Sequence, residues 1–343
     1  GEYLDVMQAR GVGINVAGLV PFTPIRQTAM GEASLERVGN DDEIERMQQI
    51  FRQSIRDGGF GLSTTFFDGH LGYKGRPVGC RLTDRREMGA MCQVLREEDV
   101  GITQVGFNQP ELGSILDESM DWLNFISENS QRPITYLAII NHPKNPKSYL
   151  KGAAKLGPLL ESGKVLPQFP VKPVTQNYDL KAPQALGYVN TIHQVFDQPL
   201  AKQLKLYGDA AFRASIQHDL DNNEIADQFY DRLRVLDGNL ESTKALAASG
   251  KSLAEIAAEQ GKSGIDCWFD LAIEENLEAQ FTFATIAWDQ EGTRNLIKDG
   301  RFMPGLSDGG AHVATLNDTG YATYLLGHWV RKEQVLSLEI GRA

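Results

Sequence analysis

Asp308 is followed directly by two glycines, with His312 four residues on, in "GLSDGGAHV" (305–313) near the end of the chain. The aspartate ends the apolar run "RFMPGLSD" (301–308), and the glycines let the backbone turn sharply and leave room above the carboxylate. Other polar residues end other apolar runs. His142 closes "TYLAIINH" (135–142), with Lys144 two residues beyond; Asn108 closes "ITQVGFN" (102–108); Ser63 lies within "GLSTT" (61–65); and Lys172 follows "QFPV" (168–171). A carboxylate and an imidazole at two strand ends can hold part of a metal site, where a bound metal activates water and polarises a carbonyl. Catalytic zinc takes about three protein ligands and an open position. His142 and Asp308 offer two, and the chain has no H-x-H pair to complete the set. Each residue also has a structural alternative: Asp-Gly is a common turn dipeptide, and a lone histidine after a strand is often a hydrogen-bonded loop residue. His70, His193, His218 and His328 end no apolar run and read as structural or surface residues.

The segments that must carry these residues alternate in character. Apolar, β-branched stretches occur at 11–20, 59–67, 100–107, 134–140 and 164–171, and helical patterns at 41–57, 84–98, 112–130 and 147–163 lie among them. Strand–helix alternation with near-continuous apolar strands predicts a parallel sheet covered by helices. The α/β arrangement that fits best is a (β/α) TIM-like barrel, incomplete in this chain, with a doubly wound open sheet as the alternative. No G-x-G-x-x-G follows a strand and opens a helix, and there is no Walker-type loop, which argues against a nucleotide fold. In a barrel of this kind the active site lies at the C-terminal ends of the strands, where Asp308, His142 and Asn108 are expected.

The barrel units are expected over 1–173, a helical insertion over 174–275, and the last barrel strands and a helix over 276–343. Within the insertion Ser252 and Glu255 form a capping box with Gly261 as the stop, and Ile265, Trp268, Leu271 and Ala272 share a helical stripe. Strand character returns in "QFTFATI" (280–286) and again in "RFMPGLSD", read as late barrel strands. The chain opens without methionine into a helical pattern that ends at Gly11, and closes on Ser337 as an N-cap with only six residues after it. Both ends read as cuts through a longer protein.

Composition narrows the function classes. The 343 residues carry a formal net charge of −11, with 41% apolar and 23% charged residues. No Lys/Arg cluster offers the basic face that nucleic acid requires, so no nucleic-acid partner is expected. Three cysteines without C-x-x-C spacing argue against a disulfide framework and for a reducing, cytoplasmic setting. The longest apolar runs fall far short of the roughly 20 residues of a membrane span, so no membrane partner is expected. Packing of "TYLLGHWV" (323–330) against a neighbouring chain is one route to a homo-oligomer.

At "GLSDGGAHVATLNDTGYATYLLGHWVRKEQVLSLE" the sequence resembles the D-aminoacylase-like branch of the amidohydrolase superfamily, the N-acyl-D-amino-acid deacylases. Arg26 and Gly31 in "GLVPFTPIRQTAMG", the strand "GGFGLSTTFF" and the helical "SLAEIAAEQGKSGIDCWFDLAIEE" are similar to further family elements in the family's order. The resemblance implies a metal-dependent amide hydrolase using one or two zinc ions, with a preceding H-x-H strand and β-sandwich outside this chain. It implies that Asp308 moves the proton of the attacking water to the leaving amine and ligates metal. It also implies that "NHPK" supplies a ligand in His142 and a partner for the substrate carboxylate in Lys144. Ser63, Asn108 and His312 are candidates for lining the substrate. The sequence departs from the family pattern where "VGFNQP" places Phe107 and Asn108 at an expected ligand histidine, and where Pro21 and Phe22 stand in place of a glycine–histidine pair. The leading expectation is cleavage of an N-acyl (D-)amino acid or related amide. The alternative is a degenerate amidohydrolase scaffold that binds a ligand or partner without hydrolysis. A metal-free glycoside hydrolase ranks last, because the strand ends offer only Asp308 and the loop-borne Asp68 as facing carboxylates.

Overall fold

The computed structural model describes residues 1–72, 75–109, 111–141, 145–223, 226, 228–284, 289–305 and 320–342. Six strands form one parallel sheet: β1 (Val20–Pro21), β2 (Gly61–Thr65), β3 (Ile102–Gly106), β4 (Ile134–Leu137), β5 (Val165–Pro170) and β9 (Met303–Gly305), adjacent in that order. This is the α/β architecture expected, and the barrel is open rather than closed among the described residues.

Helices follow the strands because the sequence starts and stops them locally. Asn40 caps Asp41–Arg56 in a capping box with Glu43, and the Asp84 carboxylate accepts from the first backbone N–H groups of Arg85–Glu98. The expected helix over 147–163 is split into Tyr149–Leu156 and Pro158–Glu161, because Gly157 turns with φ 45° and proline cannot continue the first helix. Register assigns the two faces of the sheet. Leu62, Val105, Ile134, Tyr136, Val165 and Phe169 are buried in one core cluster with the helix residues Met47, Phe51, Met88, Leu95, Leu123 and Leu156. Residues of the opposite parity include Ser63, Gln104 and Thr135, which are register partners across three strands. On that second face Gln168 donates Nε2 to Thr135 Oγ1 at 2.7 Å. One face is therefore packed into the core under helices, and the other carries the uncharged polar residues Ser63, Gln104, Thr135 and Gln168.

The first strand is shorter than expected. Residues 11–19 form no strand, and Val12, Ile14 and Val16 are exposed. β-branched side chains favour a ladder only where a neighbouring strand supplies the pairing and the packing, and here only Val20 and Pro21 reach β2. The helix Glu2–Arg10 ends at Gly11, as expected, but buries none of its residues.

Everything between β5 and its sheet neighbour β9 is inserted between two adjacent strands. Most of it builds a second unit around its own core, running from Tyr178 to Phe283. Here Ser252 and Glu255 form the expected capping box, Gly261 is the αL cap, and Ile265, Trp268, Leu271 and Ala272 are all buried. Gln280–Ala284 (β8), expected as a late barrel strand, instead runs antiparallel between β6 (Thr175–Tyr178) and β7 (Leu233–Asp237). Its alternation explains the difference: Phe281 and Phe283 are buried while Gln280 and Thr282 are not, the pattern of a strand with one covered face. The helix Gln290–Asp299 then returns to the first core through Leu296 and Ile297.

Candidate active site at the strand tips

Each strand of the parallel sheet delivers its next residues to the same edge, and their side chains define what that edge can do. After β1 the chain enters the helix Phe22–Met30 at once, and Phe22 is fully buried in the core. After β2, Thr65 Oγ1 lies 2.7 Å from His70 Nδ1 and accepts from Phe67 N at 3.1 Å. These bonds shape a tight loop that presents Asp68.

Asn108, beyond β3, closes on that loop from the neighbouring strand. Its Nδ2 donates to Asp68 Oδ2 at 2.8 Å, and its Oδ1 accepts from Asp68 N at 2.9 Å. Both ends of the amide are engaged, so Asn108 acts here as a clasp between two strand tips. Arg81 donates to the same Asp68 carboxylate. An aspartate held in this way is an ion-pair partner rather than a free general base, which also removes the glycoside-hydrolase reading's second carboxylate.

Phe107 is buried beside Asn108, its ring stacked on Phe66 at 5.5 Å and tilted against Tyr136 at 5.9 Å. Gln109 donates to the Tyr136 hydroxyl at 3.2 Å and to the Ala138 carbonyl, tying the tips of β3 and β4. Burial pushes the Tyr136 phenol well above its usual range. Ser63 sits within β2, half-buried, between Pro21 and Gln104 in register, on the polar face. Thr64 points the other way and is buried.

Asn141 ends the described part of the β4 segment. It is buried, and its Oδ1 accepts from Tyr149 N at 3.0 Å and Ser148 Oγ at 3.3 Å, which fixes the chain on both sides of 142–144. At the tip of β9 a Cβ on Gly305 would meet Gln168 Oε1 at 2.9 Å, so glycine suits that close approach. His142, Lys144, Asp308 and His312 lie outside the described residues. Of the residues expected to form the site, the structure thus places Ser63 on the polar face and Asn108 in the clasp with Asp68. It does not bring these two into one contact. The clasp and the bridging Gln109 were not anticipated; polar residues directly after an apolar run were the only signal, and sequence does not reveal their partners.

The donors at these tips do not by themselves fit a metal. Phe22 and Phe107 are apolar, Asp68 is paired with Arg81, and among the described residues no group of three or more His, Cys, Asp or Glu could hold an ion. Within 323–330, Leu325, Trp329 and Val330 are buried in this chain, while Tyr324 and Leu326 are half-buried. No helix among the described residues is long and apolar enough to cross a membrane.

No model of a known protein family matches the sequence, and no curated protein matches it. Solved structures do. A D-aminoacylase structure described for its binuclear metal center, with one-metal activation and second-metal attenuation, superposes with a TM-score of 0.58 at 19% identity. The N-acyl-D-glutamate deacylase of Bordetella bronchiseptica, complexed with zinc and a phosphonate mimic of the tetrahedral intermediate, gives 0.58 at 17% identity. Each match covers 99% of this chain and 58% of the other. This chain therefore has, over nearly its whole length, the fold of a D-aminoacylase-like segment, and it spans 58% of the length of those relatives.

Proposed function

We propose that this chain carries the catalytic face of a metal-dependent amidohydrolase, which cleaves the amide bond of an N-acyl (D-)amino acid or a related amide with activated water. The observation that supports this reading best is the fold shared with two deacylases over 99% of the chain. The order of sequence elements from Arg26 to the "SDGG" segment supports it independently.

In this reading His142 and Asp308 are the residues that hold metal, in a site of one or two zinc ions completed by ligands outside this chain. Zinc held there would supply a lowered pKa for bound water and a Lewis acid for the scissile carbonyl. Asp308 accepts the proton of the attacking water and returns it to the leaving amine. Lys144 faces the carboxylate of the substrate, and Ser63 and His312 line its path. Asn108 contributes by holding the β2 tip through Asp68. Three free, buried cysteines support a reducing compartment, the cytoplasm, as the setting.

A second reading, a scaffold that binds without hydrolysing, draws on one observation: buried aromatic rings, Phe22 and Phe107, occupy two strand tips where ligands were expected. The two readings separate on metal content of the full-length protein purified without chelators. Hydrolysis predicts about one zinc per polypeptide, lost in His142→Ala and Asp308→Asn together with release of amine from N-acyl amino acids. Protein that carries no metal and releases no amine from a panel of N-acyl D- and L-amino acids overturns the hydrolytic reading.

A further inference from the structure

Five aspartates in the sequence stand directly before glycine: Asp57, Asp68, Asp237, Asp299 and Asp308, the last outside the described residues. Glycine leaves the following amide unhindered, so such a pair can close on itself when the side-chain carboxyl and the next backbone nitrogen meet. The described pairs differ in what has taken each carboxylate. Arg81 and Asn108 hold Asp68, and Arg301 holds both oxygens of Asp299 at 2.6 and 2.9 Å. Asp57 accepts from Gln53 Nε2 at 2.7 Å, and Gly58 donates its N–H to the Ile55 carbonyl at 3.0 Å. Asp237 differs from these: its Oδ1 accepts from Gly238 N, its own next amide, at 2.8 Å.

The fold holds that juxtaposition in place. Asp237 is exposed at the end of β7, after a register shift from Val235 that bends the end of the strand. Immediately beyond, the buried Glu275 carboxylate accepts from Asn239 N at 2.8 Å and Leu240 N at 2.9 Å, which fixes the chain as it enters the helix Glu241–Ser249. Glycine is required at 238, since a Cβ there would overlap Thr243 Cγ2 and meet Glu275 Oε1 at 2.8 Å. Nitrogen and carboxyl are thus held together by the strand on one side and by Glu275 on the other, the condition in which an intramolecular reaction gains most.

We infer that Asp237–Gly238 is a self-modification site, where the folded chain converts Asp237 to an isoaspartyl residue faster than at its other described Asp–Gly pairs. The Gly238 nitrogen bonds to Asp237 Cγ, and one carboxyl oxygen leaves as water with the amide proton and a proton from solvent, giving a cyclic imide. Water then opens the imide. Attack at the main-chain carbonyl of Asp237 leaves Gly238 joined through the side chain, and attack at Cγ restores aspartate. The first product adds a methylene to the main chain and shifts Asn239 and Leu240 against Glu275, so the modification loosens the turn between β7 and the helix. The inference goes beyond the proposed hydrolysis and does not depend on it.

The test is to age the full-length protein at physiological temperature and neutral pH in oxygen-18 water. Tryptic digestion in ordinary water and electron-transfer mass spectrometry then separate isoaspartyl from aspartyl peptides. Isoaspartate carrying a heavy oxygen appears in peptide 235–244 about fivefold or more faster than at Asp57, Asp68 or Asp299. In urea, where the geometry is lost, the rates draw together. Asp237→Glu keeps the charge but needs a larger ring that closes far more slowly, and it gives no product at 237. Absence of isoaspartate at 237, equal rates at the described pairs in the folded protein, product without heavy oxygen, or the same preference in urea would each overturn the assignment.

Discussion

Replacing Glu87 by alanine removes one half of an ion pair that water does not reach. Arg26 and Glu87 are both fully buried and meet at 2.5 Å. Around them the guanidinium also donates to the carbonyls of Ser34 (3.2 Å) and Arg37 (2.7 Å), and the carboxylate accepts from Gly39 N. The pair thus joins the helix after β1, the turn that follows it, and the helix Arg85–Glu98. Taking away one partner of a buried pair costs about 3–5 kcal/mol, because the other charge stays desolvated and uncompensated. With an unfolding entropy of about 2.1 cal/mol/K per residue, 343 residues unfolding together give about 0.7 kcal/mol/K, so the midpoint should fall by about 4–7 °C. Glu87→Gln keeps an acceptor for Gly39 N and should lose about 1 kcal/mol less than the alanine variant. Arg26→Met should cost at least as much as Glu87→Ala, since it also strands two carbonyls. The double variant should cost less than the sum of the singles by about 2 kcal/mol, because the two residues answer each other's charge. Scanning calorimetry and urea unfolding of the four proteins check this. A loss below about 1 kcal/mol in Glu87→Ala, or additive losses in the double variant, would refute the argument that this pair is a desolvated, mutually compensating unit.

Two further outcomes follow from titrating groups. The Arg37 hydrogen bond, followed by the Asn40 backbone N–H, lowers the Glu43 carboxyl from 4.5 to about 2. A depressed folded value gives stability that is complete above pH 4.5 and is lost as the pH falls toward 2; urea unfolding of wild type and Glu43→Gln should therefore differ at pH 6 and converge by about pH 2, and a gap that persists at pH 2 would contradict this. Burial pushes the Cys92 thiol up to about 12, so at pH 8 its thiolate is scarce and its sulfur shielded. A disulfide reagent should leave Cys92 unmodified in the folded protein and modify it on unfolding, with peptide mass spectrometry as the check; rapid labelling of Cys92 without unfolding would count against its placement in the core.

How much of this was legible beforehand divides along the range of the interactions. Caps and stripes are local, and sequence gave direct access to them: the Ser252–Glu255 box, the Gly261 stop and the buried stripe from Ile265 to Ala272 are all present. The parallel sheet was legible for a related reason, since runs rich in apolar and β-branched residues alternate with helical patterns, and the runs at 102–106, 134–137 and 165–170 are strands at or within the expected bounds. The segment 280–286 has strand character without saying which sheet it joins, but it also has a period of two. Phe281 and Phe283 turn to the insertion's core while Gln280 and Thr282 do not, and that alternation was a cue for an antiparallel strand with one covered face. Pairing at a distance left no comparable cue. Nothing in "ITQVGFN" says that Asn108 will clasp a loop 40 residues earlier, and nothing near Lys172 names Trp329, 158 residues on from Val171, as the residue that carries His328 and Lys332 to its side. The first of these facts bears on function: a strand tip can offer a ligand only what its neighbours have not already engaged, and Asn108 is engaged by Asp68 on both sides of its amide. Sequence reading finds the residues that stand at an edge, and the partners each has taken decide which of them remain to do chemistry.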